Sequence, residues 1–238
     1  MSTASTTSAL DFKTASAAGG AKLTICRVNL KTDKLELFLR DDAGKPLKTF
    51  DAANRFLEAR NQKLIFGMNA GMYHGDFSPV GLFVSGGHEL SPLNLEQHVG
   101  NFFLKPNGVF FIDESGAHIA ESSRYPAVAG QARLATQSGP MLVIDGEIHP
   151  SFSAGSKSRF LRNGVGILSP HEVVFVISGE PLNLYEFAHY FRDALHCGNA
   201  LYLDGDISSL YAPGLNRNDR RRDLGPIIGV VSNRDTSP

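Results

Sequence analysis

From residue 80 to residue 231 the chain keeps returning to one kind of segment, an apolar run of four to six residues closed by a turn signal. The runs are "VGLFV", "NFFLK", "GVFFI", "PMLVI", "GVGIL", "EVVFVI", "ALYL" and "PIIGVV", and the gaps include "SGGH", "DESG" and "DGE". Runs this short, rich in β-branched and aromatic residues, read as strands rather than helices. Upstream, "KLTICRVNL" and "KLELFLR" joined by "KTD" read as a hairpin, with Leu35, Leu37 and Leu39 on one face. Two helices interrupt the strands. One runs from a cap at Asp51 to about Gln62 and turns Ala53, Phe56 and Leu57 inward. The other is "NLYEFAHYFRDALHCG", where Leu184, Phe187, Ala188, Phe191 and Leu195 recur at helical spacing, Asn183 and Glu186 form a capping box, and Gly198 supplies the stop. Strand, helix and strand in the order "EVVFVI", helix, "ALYL" predict one crossover in a sheet otherwise built from hairpins. The expected fold is α+β: mixed, mostly antiparallel sheets with a few flanking helices. It forms a single domain over residues 22–233, between a disordered leader (1–21) and a short tail (234–238).

With 42% hydrophobic residues the chain can bury a sizeable core. Its 23 basic and 24 acidic residues leave a net charge of −1, so no overall field draws it to nucleic acid, and any anion recognition is local. No apolar run approaches the roughly 18 residues of a helical membrane span. The first twenty residues hold no apolar block that would serve as a signal-peptide core. Cys26 sits in an expected strand and Cys197 at the end of an expected helix. They either close a long loop as a disulfide or remain two buried thiols.

Three segments carry candidate chemistry. "NALYLDGDISSLYAP" delivers Asp204 to a strand end, follows it with Gly205 and Asp206, and adds Ser208 and Ser209. Asp-Gly alone is an ordinary turn, as at Asp145-Gly146, but the serine pair beside it suggests a site. "FGMNAGMYHGDFSPVG" crowds Asn69, Tyr73, His74, Asp76 and Ser78 into one loop, a density of hydrogen-bonding groups that a turn does not require. Asn69 and Asp76 are the candidates there, while His74 reads as an exposed loop residue. "RNGVGI", with "TQSGP" upstream, offers the planar fork of Arg162 and backbone N–H groups near Gly139 and Gly164 for an anion. The one basic run, "NRNDRRRDLG", contains Arg217, Arg220, Arg221 and Arg222, with Asp219 and Asp223 offsetting half the charge, and reads as a solvated loop. No Walker loop, HExxH, Cys/His cluster or Gly-x-Ser-x-Gly elbow occurs in the chain.

Taken in order, "MNAGMY", "TQSGPMLV", "RNGVGI", the helix "NLYEFAHYFRDAL", "NALYLDGDISS" and "GPIIGVV" resemble the phosphodiester glycosidase family over roughly residues 22 to 233. The chain departs from that pattern in two places: Asp206 and Ile207 follow Gly205 where many relatives have further glycines, and Ser178-Gly179-Glu180 stands where relatives often show Asp-Gly-Arg. The resemblance implies cleavage of the sugar–phosphate bond of a sugar-1-phosphodiester or phosphorylated glycan by an exported, periplasmic or extracellular protein, which favours the disulfide between Cys26 and Cys197. It marks Asn69, Gly71, Ser138, Gly139, Arg162, Asp204, Gly205, Ser208 and Ser209. In the roles it implies, Asp204 is the base or nucleophile and Asp76 or Asp206 the second carboxylate. Asn69 joins the catalytic set and, with Ser209, orients the sugar, while Arg162, Ser138, Gly139, Gly164, Gly205, Ser208, Ser209 and Glu180 bind the substrate and its phosphate. Two other classes stay open: a phosphodiesterase using Ca²⁺ or Mg²⁺ held by Asp76, Asp204 and Asp206, and a polysaccharide-binding module without turnover. No cofactor is required by the first reading.

Overall fold

The computed structural model describes residues 10 to 234. In chain order its elements begin with β1 (Asp11–Ser16), β2 (Lys22–Asn29), β3 (Lys34–Phe38), α1 (Phe50–Glu58), β4 (Gln62–Asn69), β5 (Phe83–Ser85) and β6 (His88–Ser91). They continue with β7 (Gly108–Asp113), β8 (Gly116–Glu121), α2 (Tyr125–Val128), β9 (Leu134–Ser138), β10 (Met141–Ile144), β11 (Glu147–Ile148) and β12 (Asn163–Ser169). The last are β13 (Glu172–Ser178), α3 (Leu184–His189), β14 (Ala200–Asp204), β15 (Leu210–Ala212), β16 (Arg217–Asn218) and β17 (Ile227–Asn233).

These strands form three sheets. The first has seven strands in the order β1-β2-β13-β12-β14-β10-β11, the second five as β16-β15-β4-β17-β3, and the third five as β6-β5-β9-β7-β8. All three turn apolar faces onto one shared core, to which they contribute Val28, Phe175 and Leu203, then Leu37, Phe66 and Ile228, then Phe83, Phe110 and Leu134. Helices cover outer faces: α3 packs Phe187 and Ala188 on the first sheet, and α1 packs Phe50, Ala53 and Leu57 on the second. A strand buried on both faces has no polar side to show, which is why β13 reads as a continuous apolar run. Its Val173, Phe175 and Ile177 enter the shared core while Val174 and Val176 meet α3. Each such side chain contributes about 1.5–3 kcal/mol of burial. The molecule is thus β-rich and mostly antiparallel, with helices as minor flanking elements.

The predicted crossover is present. β13 and β14 both pair antiparallel with β12 and so run parallel to each other, with α3 carrying the chain between them. The capping box is present too: Asn183 Oδ1 accepts from Glu186 N, and Glu186 Oε2 accepts from Asn183 N.

Several expectations are corrected. The segment expected as a leader contains β1, which pairs with β2 along its length. β2 and β3 do not form a hairpin: β2 lies between β1 and β13, whereas β3 pairs with β17 of the second sheet. The "KTD" turn is therefore a corner between sheets, and the apolar faces of the two strands meet across the shared core instead of lying side by side. "NFFLK" holds a single 3-10 turn, Asn101–Phe103. The first helix is capped by Thr49, whose Oγ1 accepts from Ala52 N at 3.1 Å, and Asp51 lies in its first turn. After α3 the chain stops through His196, which takes the left-handed conformation (φ 55°), rather than through Gly198.

The cysteines are free thiols. Cys26 faces the shared core and Cys197 the layer under α3, on opposite sides of the first sheet. Among the described residues, no helix is long and apolar enough to cross a membrane.

Candidate active site

Strand β14 places the first group. Its pairing with β12 slips by one residue, with Asn163 opposite Asp204 but Gly164 opposite Tyr202, so Leu203 is an extra residue in a bulge. Strict alternation would send Asp204 to the α3 side with Ala200 and Tyr202, both of which lie in that layer. Beyond the bulge it turns instead toward the second sheet, where Asn69 Nδ2 donates to its Oδ2 at 2.9 Å. A bulge re-aims side chains in this way. The carbonyl of the extra residue accepts from Ser138 Oγ at 2.9 Å, so Ser138 secures the bulge from β9.

Asp204 is 8% exposed, and burial raises its carboxyl pKa to about 6 against the donors that favour its charge, Gly205 N at 2.7 Å and Asn69 Nδ2. Asn69 is itself fixed: its Oδ1 accepts from Ser209 N at 3.0 Å and Asn163 Nδ2 at 3.1 Å, and its carbonyl accepts from Asn163 Nδ2 at 2.8 Å. Ser208 Oγ lies 3.3 Å from Asn163 Oδ1 and 3.2 Å from the Asp204 carbonyl, and Ser209 Oγ donates to the Ile207 carbonyl at 2.9 Å. Both serines thus brace the loop after Asp204, and the structure joins Asn69, Ser138, Asp204, Gly205, Ser208 and Ser209 into one network. Gly205 is required by space, because a Cβ there would lie 2.6 Å from the Tyr202 hydroxyl. Gly71 backs onto Thr136 and Ser138 at the network's edge.

Other expected members stand elsewhere. Arg162 is wholly enclosed and donates from Nε to the Leu182 carbonyl (2.8 Å), from Nη1 to the Tyr202 hydroxyl (3.2 Å) and from Nη2 to the Ser158 carbonyl (2.8 Å). This corrects its expected role as an open phosphate fork, since the guanidinium is an internal bracket. Gly164 lies inside β12 between two neighbouring strands, so its N–H belongs to the sheet, and Gly139 sits where a Cβ would lie 2.5 Å from that of Asn107. Asp76 is exposed and accepts from Ser78 N at 3.0 Å and Ser78 Oγ at 2.6 Å, bonds that hold its carboxyl below the usual range. Asp206 is exposed, as is Glu180, which accepts from Lys22 N at 3.0 Å. Neither Asp76 nor Asp206 is bonded into the network as a second carboxylate. Among the described residues no three His, Cys, Asp or Glu side chains converge on a site that could hold a metal ion, so Asp76, Asp204 and Asp206 do not gather as the alternative phosphodiesterase reading would need.

Three side chains were given no role in the sequence reading, although Tyr73 was counted in its loop. Asn163 is buried and links β12 to β4, and its signal was an amide directly before an apolar strand. Tyr202 is buried beside Gly205. Tyr73 is half-buried, and its hydroxyl donates to the Asp223 carbonyl at 2.5 Å. Burial, followed by the charges of Asp204 and Asp223, raises the Tyr73 phenol pKa to about 12.

Comparison with known proteins bears on the family and the fold. The chain is 33% identical over 187 residues to an uncharacterized Escherichia coli protein, YigE, covering 79% of this chain and 73% of that one. Its fold matches the catalytic domain of zebrafish N-acetylglucosamine-1-phosphodiester alpha-N-acetylglucosaminidase, a structure auto-inhibited by its pro-peptide, with a TM-score of 0.66 at 14% identity over 96% of this chain and 85% of the other. A Burkholderia pseudomallei protein named as an exported one matches at a TM-score of 0.55 and 11% identity, over 89% of this chain and 74% of the other. Residues 62 to 231 match the phosphodiester glycosidase family, and the chain belongs to that family.

Proposed function

We propose that the chain is a hydrolase that cleaves the sugar–phosphate bond of a sugar-1-phosphodiester on a cell-envelope or extracellular glycan, with Asp204 as the reacting carboxylate. The observation that carries this reading is the environment of Asp204: a carboxyl at about 6, oriented by Asn69 and Gly205, at the end of a bulged strand. A base is most effective when its pKa lies near the working pH. Asp204 takes a proton from water as the water oxygen bonds to the anomeric carbon, and the bond from that carbon to the phosphate oxygen breaks, its electron pair leaving with the phosphate monoester. That leaving group is already a stable anion, so one carboxylate serves where ordinary glycoside hydrolysis uses two. Asn69, Asn163 and Ser209 hold Asp204 in place. The family membership and the likeness to a protein named for this activity support the reading, and the likeness to a protein named as exported supports the location.

The test is Asp204→Asn with a panel of sugar-1-phosphodiesters, reading free sugar and phosphate monoester. Turnover should fall at least about a hundredfold, the scale of a removed acid–base group. Asp145→Asn, in the left-handed Asp145-Gly146 turn between β10 and β11, should change little. Near-normal turnover in Asp204→Asn would sink the assignment.

A further inference from the structure

An anionic substrate approaching Asp204 meets a carboxylate, and the cation expected to offset it, Arg162, is enclosed and spent on internal bonds. We propose that Arg222, with Arg221 beside it, forms the lip of the Asp204 site that recognises the phosphate of the substrate, an inference that rests on the phosphodiester reading above.

Charge pairing along residues 217–223 singles these two out. Arg217 is bound by Asp219 at 2.7 Å and Arg220 by Asp51 at 2.8 Å. Asp223, the acid next to Arg222, is drawn 3.5 Å from Lys48, whose ammonium also lies 4.0 Å from the centre of the Phe77 ring. Among the described residues Arg221 and Arg222 are left without an acidic partner, and both are exposed. A free exposed arginine is ordinary on its own, so its position has to supply the argument.

The position is fixed by the site itself. Tyr73, four residues beyond Asn69, donates its hydroxyl to the Asp223 carbonyl at 2.5 Å, and its ring stacks on Phe77 with centroids 5.7 Å apart. Gly225 lies against the same ring so closely that no side chain would fit. Two residues further on, Ile227 stands opposite Asn69 in the sheet, and the Pro226 carbonyl accepts from Ala70 N at 2.9 Å. The segment bearing Arg222 is thus fastened to the strand and loop that present Asn69 and Tyr73. Two backbone strains lie at the same place: Lys48 and Phe77, which touch, both hold positive φ (63° and 68°). Strain in bulky residues persists where the surroundings impose it, commonly at binding sites. The Tyr73 phenol is raised by burial and by the charges of Asp204 and Asp223, and Arg222 acts on it in the opposite sense. A phosphate held by Arg222 on the Tyr73 side would leave the anomeric carbon toward Asp204, and a guanidinium suits it through paired N–H donors.

The test is equilibrium binding of the methyl phosphodiester of N-acetylglucosamine 1-phosphate, followed by phosphorus NMR in an Asp204→Asn background so that the probe survives. Arg222→Ala should weaken binding roughly tenfold, the scale of one charged hydrogen bond, and Arg222→Glu more. Arg124→Ala, on the third sheet's side, serves as the exposed-arginine control and should not alter it. Unchanged affinity in Arg222→Ala, an equal loss in Arg124→Ala, or no binding of the diester overturns the inference. Binding that depends on Arg222 in a chain whose wild type turns over no phosphodiester would uphold it and sink the hydrolytic reading. Turnover with no dependence on Arg222 would do the reverse.

Discussion

At the scale of single residues, the behaviour of Asp204 follows from its burial. Its folded pKa of about 6 lies above the ordinary aspartate value of 3.8, because enclosure penalises the charge more than Gly205 N and Asn69 Nδ2 relieve it. The folded state therefore holds the proton more tightly than the unfolded one. The group favours folding fully below about pH 4, and that contribution is lost as the pH rises through about 6, with a size on the order of 3 kcal/mol. Asp204→Asn is neutral throughout, so its melting temperature relative to wild type should climb between pH 4 and pH 7.5. Whatever hydrogen bonds the amide gains or loses are the same at both ends and cancel. Flat behaviour across that range would mean a carboxyl with an ordinary pKa. The same equilibrium governs catalysis with the opposite preference, since a base must be ionised: kcat/KM for a phosphodiester should fall on the acid side with an apparent pKa near 6. The chemistry needs the ionised form that costs the fold stability, and that conflict is expected at a reacting group.

At the scale of elements, the sequence told the two Asp-Gly pairs apart only through their neighbours. Asp145 and Gly146 both take positive φ in a hairpin turn, whereas Asp204 ends a strand and Gly205 is there for closeness to Tyr202. Asn69, Asp204, Ser208 and Ser209 were legible because polar groups crowd at the end of an apolar run, and the capping box of α3 because its spacing is local. What stayed hidden is nonlocal. Nothing in "ALYLD" announces the extra residue at Leu203, since a bulge is a property of the partner's register, here that of β12. Arg162 was misread for a related reason: a guanidinium looks the same in sequence whether it faces a ligand or, as here, the Leu182 and Ser158 carbonyls. Arg162→Lys should therefore act on stability, lowering it by about 2–4 kcal/mol by denaturant titration, because an ammonium cannot span both carbonyls and the Tyr202 hydroxyl. A variant as stable as wild type but with weakened phosphodiester binding would return Arg162 to the substrate.

At the scale of the whole molecule, one core serves three sheets, and the consequence for the two cysteines is geometric. β2 stays in the first sheet and β3 joins the second, so the apolar runs that looked like a hairpin close the core from two sides. Cys26 points from β2 into that core. Cys197 lies on the other face, where its Sγ presses on Gly166 of β12. Gly166 stands opposite Val174 of β13, which stands opposite Arg27 next to Cys26, so the cysteines are two strand steps apart. Two steps are about 10 Å, beyond the roughly 7 Å between Cα atoms that a disulfide allows, and the sheet lies between them. Burial also raises the Cys197 thiol to about 12 and pushes Cys26 up as well, leaving little reactive thiolate near neutral pH. The folded protein should then resist alkylation by iodoacetamide at pH 8, take up label at both cysteines once unfolded in guanidinium, and melt at the same temperature with or without dithiothreitol. Because each thiol sits in a different layer, matching labelling rates in partial denaturant would mean that the core shared by the sheets and the layer under α3 open together. Early labelling of Cys197 would mean that α3 detaches first, and a mass showing Cys26 joined to Cys197 would contradict the arrangement of the first sheet itself.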